Sequence, residues 1–192
     1  AWLKECLDSI RGQSYNPIEV IVVLNNSTDG TAQLLKQDYT EVKVLSNPVN
    51  LYYAKASNQG IESSEGEFIL CLNDDCVLDR DFIREAQGAF SVNENIGMVS
   101  SKVFRKAGGV IDTTGLFLSR CRRPVERGYG RKDTGEFDSA GYTYGACGAA
   151  GFLDDELPLS RGEQDIAVIP EAHQGRLARG QRSLGHGPGL GA

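Results

Sequence analysis

The stretch "EFILCLNDD" (Glu67–Asp75) decides how this chain folds. Its apolar run Glu67–Leu72 predicts a strand that is buried inside a sheet. An amide and two adjacent carboxylates follow at once, in Asn73, Asp74 and Asp75. Adjacent carboxylates repel each other and are costly to desolvate unless a positive charge lies nearby. The cluster therefore indicates either a divalent-cation site or acids that cap the next helix.

On both sides of this stretch, apolar strands alternate with helical patterns. We predict helices over 2–13, 31–37, 53–62 and 79–90, and strands over 18–24, 42–46, 67–72 and 96–104. This alternation predicts an α/β fold with a mostly parallel sheet and flanking helices. In such sheets ligands bind beyond the carboxyl ends of the strands. The pair Asn25-Asn26 and the cluster Asn73–Asp75 should therefore converge on one crevice.

Composition excludes several classes of function. The net charge of −6 argues against nucleic acid as a partner, and no apolar run reaches the ~18 residues of a membrane-spanning helix. Five scattered cysteines lack the spacing of a zinc site, so we expect reduced, buried thiols and a cytoplasmic protein. The chain also has no GxxxxGK[ST] phosphate loop and no HExxH zinc motif.

Two ordered motifs carry a family resemblance. "IEVIVVLNNSTDGT" (Ile18–Thr31) and "NQGIESSEGEFILCLNDD" (Asn58–Asp75) resemble the nucleotide-sugar half of a family 2 glycosyltransferase, most closely its rhamnosyltransferase-like members. The resemblance covers Trp2–Phe152 and implies a GT-A, Rossmann-like fold. It also implies inverting transfer of a sugar from a UDP- or dTDP-linked donor to the hydroxyl of a glycan or glycolipid acceptor. A peripheral position at the inner face of the membrane is compatible with such an acceptor.

The resemblance gives the acidic cluster a role. Asn73-Asp74-Asp75 matches the D-x-D motif of the family, with Asn in place of the first Asp. It implies that Asp75 and Asp74 ligate Mg²⁺ or Mn²⁺, and that Asn73 and Asp74 contact the donor diphosphate. A hard cation of this kind prefers oxygen ligands and neutralises the charge of a leaving diphosphate.

Three further residues match donor-facing positions. Asn25 and Asn26 stand next to Leu24, where the family usually places an Asp that contacts the base. The alternative for this pair is an Asn-rich turn in which Asp29 caps the next helix. Lys55 lies near the family position that faces the diphosphate, and its alternative is a solvated helix lysine.

The resemblance also divides the chain. Residues 1–152 correspond to a partial GT-A domain, with a nucleotide-sugar half over about 1–104 and an acceptor-side region over about 105–152. The segment 153–192 diverges into a Gly- and Arg-rich tail without aromatic residues, which we expect to be disordered.

Two family elements have no counterpart in this sequence. The family strand that precedes the first helix is missing, so we expect an incomplete sheet with an open strand edge. The catalytic base is unassigned, with Glu163 and Asp165 as weak acidic candidates. The alternatives to an active enzyme are therefore a catalytically inactive nucleotide-binding remnant and a gene fragment.

Overall fold

The computed structural model describes residues 2–93, 96–106, 108–147, 150–154 and 176–179. Within these ranges the helices are α1 (Trp2–Arg11), α2 (Thr31–Asp38), α3 (Tyr52–Glu62) and α4 (Phe82–Phe90). The strands are β1 (Ile21–Asn25), β2 (Lys43–Asn47), β3 (Phe68–Leu72), β4 (Cys76–Leu78), β5 (Met98–Ser100), β6 (Lys102–Arg105), β7 (Ile111–Thr113), β8 (Leu116–Leu118), β9 (Pro124–Glu126), β10 (Ala150–Asp154) and β11 (Arg176–Arg179).

The helices follow the apolar periodicity of the sequence. Each predicted helix is present, with ends that differ from the prediction by three residues or fewer. The largest difference is in α4, which begins at Phe82 with Asp81 as its N-cap residue rather than directly after Asp79. None of the described helices is long and apolar enough to cross a membrane.

The single strand predicted over 96–104 is wrong. Residues Met98–Ser100 form β5, which pairs with β10, whereas Lys102–Arg105 form β6, which pairs with β7 and β11. Ser101 lies between them and is buried. The chain passes from one sheet to another at Ser101, because the segments before and after this residue pair with different strands.

The strands form four small sheets. Their orders are β1-β2, β3-β10-β5, β4-β11-β6-β7 and β8-β9. Among the described strands the β1–β2 and β6–β11 pairs are parallel and the other ladders are antiparallel, which differs from the mostly parallel sheet expected. The reason in the second sheet is β10, which returns antiparallel between β3 and β5.

Strands β1 and β3 are less buried than their apolar sequences predict. Only Leu24 is buried in β1, and all residues of β3 are partly exposed, so the expectation of burial on both faces is wrong. Within the described residues β1 pairs only with β2, and β3 pairs only with β10. Each strand therefore keeps an open edge, and the side chains beside an open edge remain accessible to solvent.

Three apolar clusters form the core of the described residues, and α1 joins the two largest. The larger cluster surrounds α4, where the Phe90 ring lies 4.7 Å from Phe68 and 6.1 Å from Phe152 between ring centroids. The smaller cluster includes Leu7 of α1 and Leu24 of β1. Ile10 of α1 packs against both clusters. This helix therefore couples the sheet containing β1 to the rest of the fold.

Two parts of the segment 153–192 are strands. Residues 153–154 complete β10, and β11 lies between β4 and β6. The other residues of the segment, including Glu163 and Asp165, lie outside the described residues.

Candidate active site

The acidic turn, Asn73–Asp75, joins β3 to β4 and thereby connects two different sheets. The backbone N–H of Cys76 donates to the Asn73 carbonyl oxygen at 3.2 Å and closes the turn. Asp74 is exposed, whereas the Asp75 side chain is only 6% exposed. The two neighbouring carboxylates therefore lie in different environments, one in solvent and one against the protein.

Helix α1 packs behind the acidic turn. The Cys6 thiol donates to the Asn73 carbonyl oxygen at a sulfur–oxygen distance of 3.8 Å. Burial, together with the smaller effects of Cys76, Asp74 and Asp75, raises the pKa of Cys6 to about 12. Cys6 is consequently a neutral thiol at physiological pH, which adds no negative charge beside the two carboxylates.

Two polar side chains hold the segment that follows the acidic turn: Ser9 in α1 and Gln13 just after this helix. The Ser9 hydroxyl accepts from the Leu78 backbone N–H at 3.0 Å. The Gln13 amide donates to the Asp79 carbonyl oxygen at 2.6 Å and accepts from the Ile83 N–H at 3.0 Å. Ser9 and Gln13 were not identified from the sequence, because nothing local marks a residue that bonds a segment 66 or more positions away.

Asn25 supports the entry to α3. Its Oδ1 accepts from the Leu51 backbone N–H at 2.7 Å, and its Nδ2 donates to Asn50 Oδ1 at 2.8 Å. Asn50 Oδ1 also accepts from the Tyr52 N–H at 2.8 Å. The next residue, Asn26, has a left-handed φ of 61° and an exposed side chain. Of the pair, Asn26 is the side chain that stands open to a ligand.

Asp29 acts at the start of α2. Its Oδ1 accepts from the Thr31 backbone N–H at 3.1 Å and from the Thr31 hydroxyl at 2.6 Å. These bonds lower the pKa of Asp29 below its ordinary value. Asp29 therefore closes the turn before α2, but the N-cap residue is Gly30, which has no side-chain cap hydrogen bond. The alternative in which Asp29 caps α2 is wrong in that respect.

The first turn of α3 lies beside the end of β3. Tyr53 is 57% exposed, and partial desolvation together with the nearby Cys71 raises the pKa of its phenol. Tyr53, which was not singled out from the sequence, is thus a neighbour of the strand that leads into the acidic turn. Lys55 is exposed on the same helix and makes no ion pair with any described residue.

Helix α1 also lies beside the ends of β1 and β3. Leu24, which precedes Asn25, packs in the same cluster as Leu7, and the adjacent Cys6 contacts Asn73. Both strand ends therefore neighbour α1, and the convergence of their polar side chains on one crevice stays a prediction.

The acidic turn has the donor chemistry for a hard divalent cation. Asp74 and Asp75 supply two carboxylates, and the described residues contain no group of three or more His, Cys, Asp or Glu side chains suited to a metal. Mg²⁺ commonly binds through one or two carboxylates and completes its shell with water and substrate phosphates. Two carboxylates at a strand end fit an ion shared with a diphosphate.

The Gly-rich segment, residues 140–152, reaches the end of β3 through β10. It leads into β10, whose Ala150 lies opposite Leu72, the last residue of β3. Upstream, Gly145 bridges to Leu116 of β8. The region beyond residue 105 is therefore connected to the site through the β10–β3 ladder.

Curated relatives share the first part of the chain. It is 29% identical over 101 residues to a poly-beta-1,6-N-acetyl-D-glucosamine synthase of Staphylococcus epidermidis, a match covering 51% of this chain and 24% of that protein. It is 33% identical over 86 residues to glycosyltransferase GlyG of Streptococcus pneumoniae, covering 43% and 28% respectively. The chain thus spans about a quarter of the length of these relatives.

Solved structures share the fold. S. aureus TarS 1–349 in complex with UDP-GlcNAc superposes with a TM-score of 0.67 at 18% identity, covering 96% of this chain and 56% of that one. GalNAc-T7 with UDP, GalNAc and Mn²⁺ gives a TM-score of 0.67 at 12% identity, covering 92% and 40%. These likenesses establish the GT-A fold. The family model for glycosyl transferase family 2 matches residues 1–148, and the chain therefore belongs to that family.

Proposed function

We propose that this chain forms the donor-binding part of an inverting glycosyltransferase. The enzyme transfers a sugar from a UDP- or dTDP-linked donor to a hydroxyl of a glycan or glycolipid, in the cytoplasm at the inner face of the membrane. The observation that carries this proposal is the acidic turn at the carboxyl end of β3, with α1 behind it and the first turn of α3 beside it. Ligands of open α/β sheets bind at such strand ends.

The related proteins support the class of donor. One relative is named for the synthesis of a polymer of N-acetylglucosamine, and one structure of similar fold holds UDP-GlcNAc. Another structure of similar fold holds UDP together with Mn²⁺. UDP or a UDP-sugar in both structures, and Mn²⁺ in one of them, match the diphosphate and the divalent cation that we propose for the acidic turn.

Each candidate residue has a distinct role in this proposal. Asp74 and Asp75 hold Mg²⁺ or Mn²⁺, which supplies the positive charge that stabilises a leaving diphosphate. Asn73 and Lys55 contact the phosphate oxygens, since an amide and an ammonium group both donate hydrogen bonds. Asn26 contacts the base, and Asn25 positions the entry to α3 through the two bonds described above.

The reaction itself displaces the nucleotide. The acceptor oxygen bonds to the anomeric carbon from the face opposite the diphosphate, and the bond from that carbon to the diphosphate oxygen breaks. The acceptor hydroxyl gives its proton to a base, a role that we assign to no described residue.

Calorimetry of UDP and dTDP, each with and without Mn²⁺, tests the donor site. The variants are Asp74→Asn and Asp75→Asn, which remove charge with little change in volume. Asp38→Asn is the matched control, because Asp38 is an exposed acid on α2, away from the acidic turn. We expect Mn²⁺-dependent binding that weakens at least about tenfold in the two site variants and stays unchanged in the control.

Three outcomes separate the possibilities. Binding that needs no metal and survives both site substitutions would show that the acidic turn holds no cation. If neither UDP nor dTDP binds, a donor site is excluded and the chain is best explained as a gene fragment. Metal-dependent binding without release of UDP or dTDP from a sugar donor in the presence of acceptor glycans would identify a nucleotide-binding protein that does not catalyse transfer.

A further inference from the structure

A β-hairpin protrudes on the acceptor side of the chain. It consists of β8, β9 and a turn over Ser119–Arg123, in which the Ser119 N–H donates to the Arg123 carbonyl oxygen at 2.9 Å. The hairpin is attached at its base, where the Leu116 N–H donates to the Gly145 carbonyl oxygen at 2.8 Å. Among the described residues, β8 and β9 form a sheet of their own with no third strand.

The outer half of the hairpin is apolar on both faces. Phe117 lies directly opposite Val125, and these side chains are 39% and 46% exposed. The next pair, Leu118 and Pro124, points to the other face because side chains alternate along a strand, and Leu118 is 44% exposed. Single exposed apolar residues are common, but a contiguous set marks an interaction surface.

The tip of the hairpin is basic. Arg120, Arg122 and Arg123 are all exposed, and none forms an ion pair with another residue in the described part of the chain. The hairpin, residues 116–126, contains three arginines and one glutamate, although the whole chain has a net charge of −6. Positive charge is therefore concentrated at one place on an acidic protein.

We propose that the hairpin, residues 116–126, docks the protein on the surface of an anionic phospholipid bilayer. Arginines are attracted to the negative surface of such a bilayer, and apolar side chains enter the boundary between headgroups and acyl chains. A protein partner would cover one face of the hairpin, whereas lipid can surround a short hairpin that is apolar on both faces. The acidic remainder of the chain is repelled by the same surface, which orients the molecule with the hairpin toward the lipid.

This docking does not depend on the proposed sugar transfer. Its consequence for the site is geometric, since the base of the hairpin bonds Gly145 in the segment that leads into β10, and β10 pairs with β3. A bound hairpin would hold the acceptor side of the chain near the membrane.

Vesicle flotation tests the proposal with two charge-matched variants. Arg120→Gln/Arg123→Gln removes two charges from the tip, and Lys36→Gln/Arg80→Gln removes two exposed charges elsewhere. Arg122 is left unchanged because its φ is 55°. The vesicles contain phosphatidylcholine alone or phosphatidylcholine with one third phosphatidylserine.

We expect binding to the anionic vesicles only, weakened about 30-fold by the tip variant and little changed by the control variant, since each arginine near such a surface contributes about fivefold. A third variant, Phe117→Ser, should also weaken binding, because it removes an apolar side chain that enters the bilayer. All variants should keep the thermal unfolding midpoint of the parent chain, since the changed side chains are exposed.

Several results would overturn the proposal. Equal loss of vesicle binding in the two charge variants would show adsorption without a dedicated surface, and no binding to anionic vesicles would exclude the bilayer as partner. Insensitivity to Phe117→Ser would exclude insertion. A change in sedimentation of the free protein, without any change in vesicle binding, would assign the hairpin to contact between copies of this chain.

Discussion

Gln13 is the residue whose replacement should most clearly reveal how the acidic turn is held. Its buried side chain donates to the Ser9 and Asp79 carbonyl oxygens at 3.1 and 2.6 Å and accepts from the Ile83 N–H at 3.0 Å. Ile83 lies in the first turn of α4, where backbone N–H groups have no partner within the helix. Gln13 therefore caps α4 from a position 70 residues away in sequence.

The substitution Gln13→Leu keeps the volume and removes all three hydrogen bonds. A typical intramolecular hydrogen bond contributes about 1 kcal/mol net, so the free energy of unfolding should fall by about 3 kcal/mol. That is a large part of the stability of a typical domain, which is about 5–15 kcal/mol. Urea unfolding followed by circular dichroism at 222 nm (a wavelength that reports helix) should show the midpoint about 1–2 M lower.

Gln37→Leu is the matched control, because Gln37 is exposed on α2 and substitutions at such positions usually change stability by no more than about 0.5 kcal/mol. If Gln13→Leu unfolds at the same urea concentration as Gln37→Leu, the reasoning is wrong. Hydrogen exchange gives a local readout, since amide protons of residues 76–83 should exchange faster in Gln13→Leu than in the control.

The other predictions concern single side chains and one glycine. Cys6 should resist iodoacetamide at pH 8, where its pKa of about 12 leaves almost no thiolate, whereas the exposed Cys121 should react, as mass spectrometry of the peptides would show. Asn25→Ala should lower the free energy of unfolding by about 1–3 kcal/mol, because it removes three hydrogen bonds that hold the entry to α3. Gly115→Ala should cost about 1–3 kcal/mol in thermal unfolding, because Gly115 has a φ of 111° and the added Cβ would lie 2.8 Å from Thr143.

Each of these predictions has a control in the same chain. Urea-unfolded protein should alkylate at Cys6 as fast as at Cys121. Asn58→Ala changes an exposed asparagine of α3 and should leave stability nearly unchanged. Gly141→Ala should also be tolerated, since its added Cβ meets nothing within 4 Å. Loss of stability in Asn58→Ala or Gly141→Ala equal to that at the test positions would contradict the arguments for Asn25 and Gly115.

The sequence by itself determined the local elements and the family. Apolar spacing is a local property, so it located the four helices and the strands β1, β2 and β3 to within a few residues. The motif around Asn73–Asp75 also led to the expectation that two polar strand ends converge, which stays a prediction because β1 and β3 belong to different sheets. Whether these residues bind a metal and a nucleotide stays a prediction that the calorimetric experiment tests.

Only the tertiary structure decided which strands pair and which polar side chains are hydrogen-bonded within the protein. The division of 96–104 at Ser101 depends on β10 and β11, which lie far along the chain. The role of Asn25 at the entry to α3 follows from its hydrogen bonds to Asn50 and Leu51, which the sequence does not show. The role of Gln13 likewise follows from its hydrogen bond to Ile83. Strand pairing and long-range hydrogen bonds join residues tens of positions apart, so their outcome depends on the packed chain and not on any local pattern.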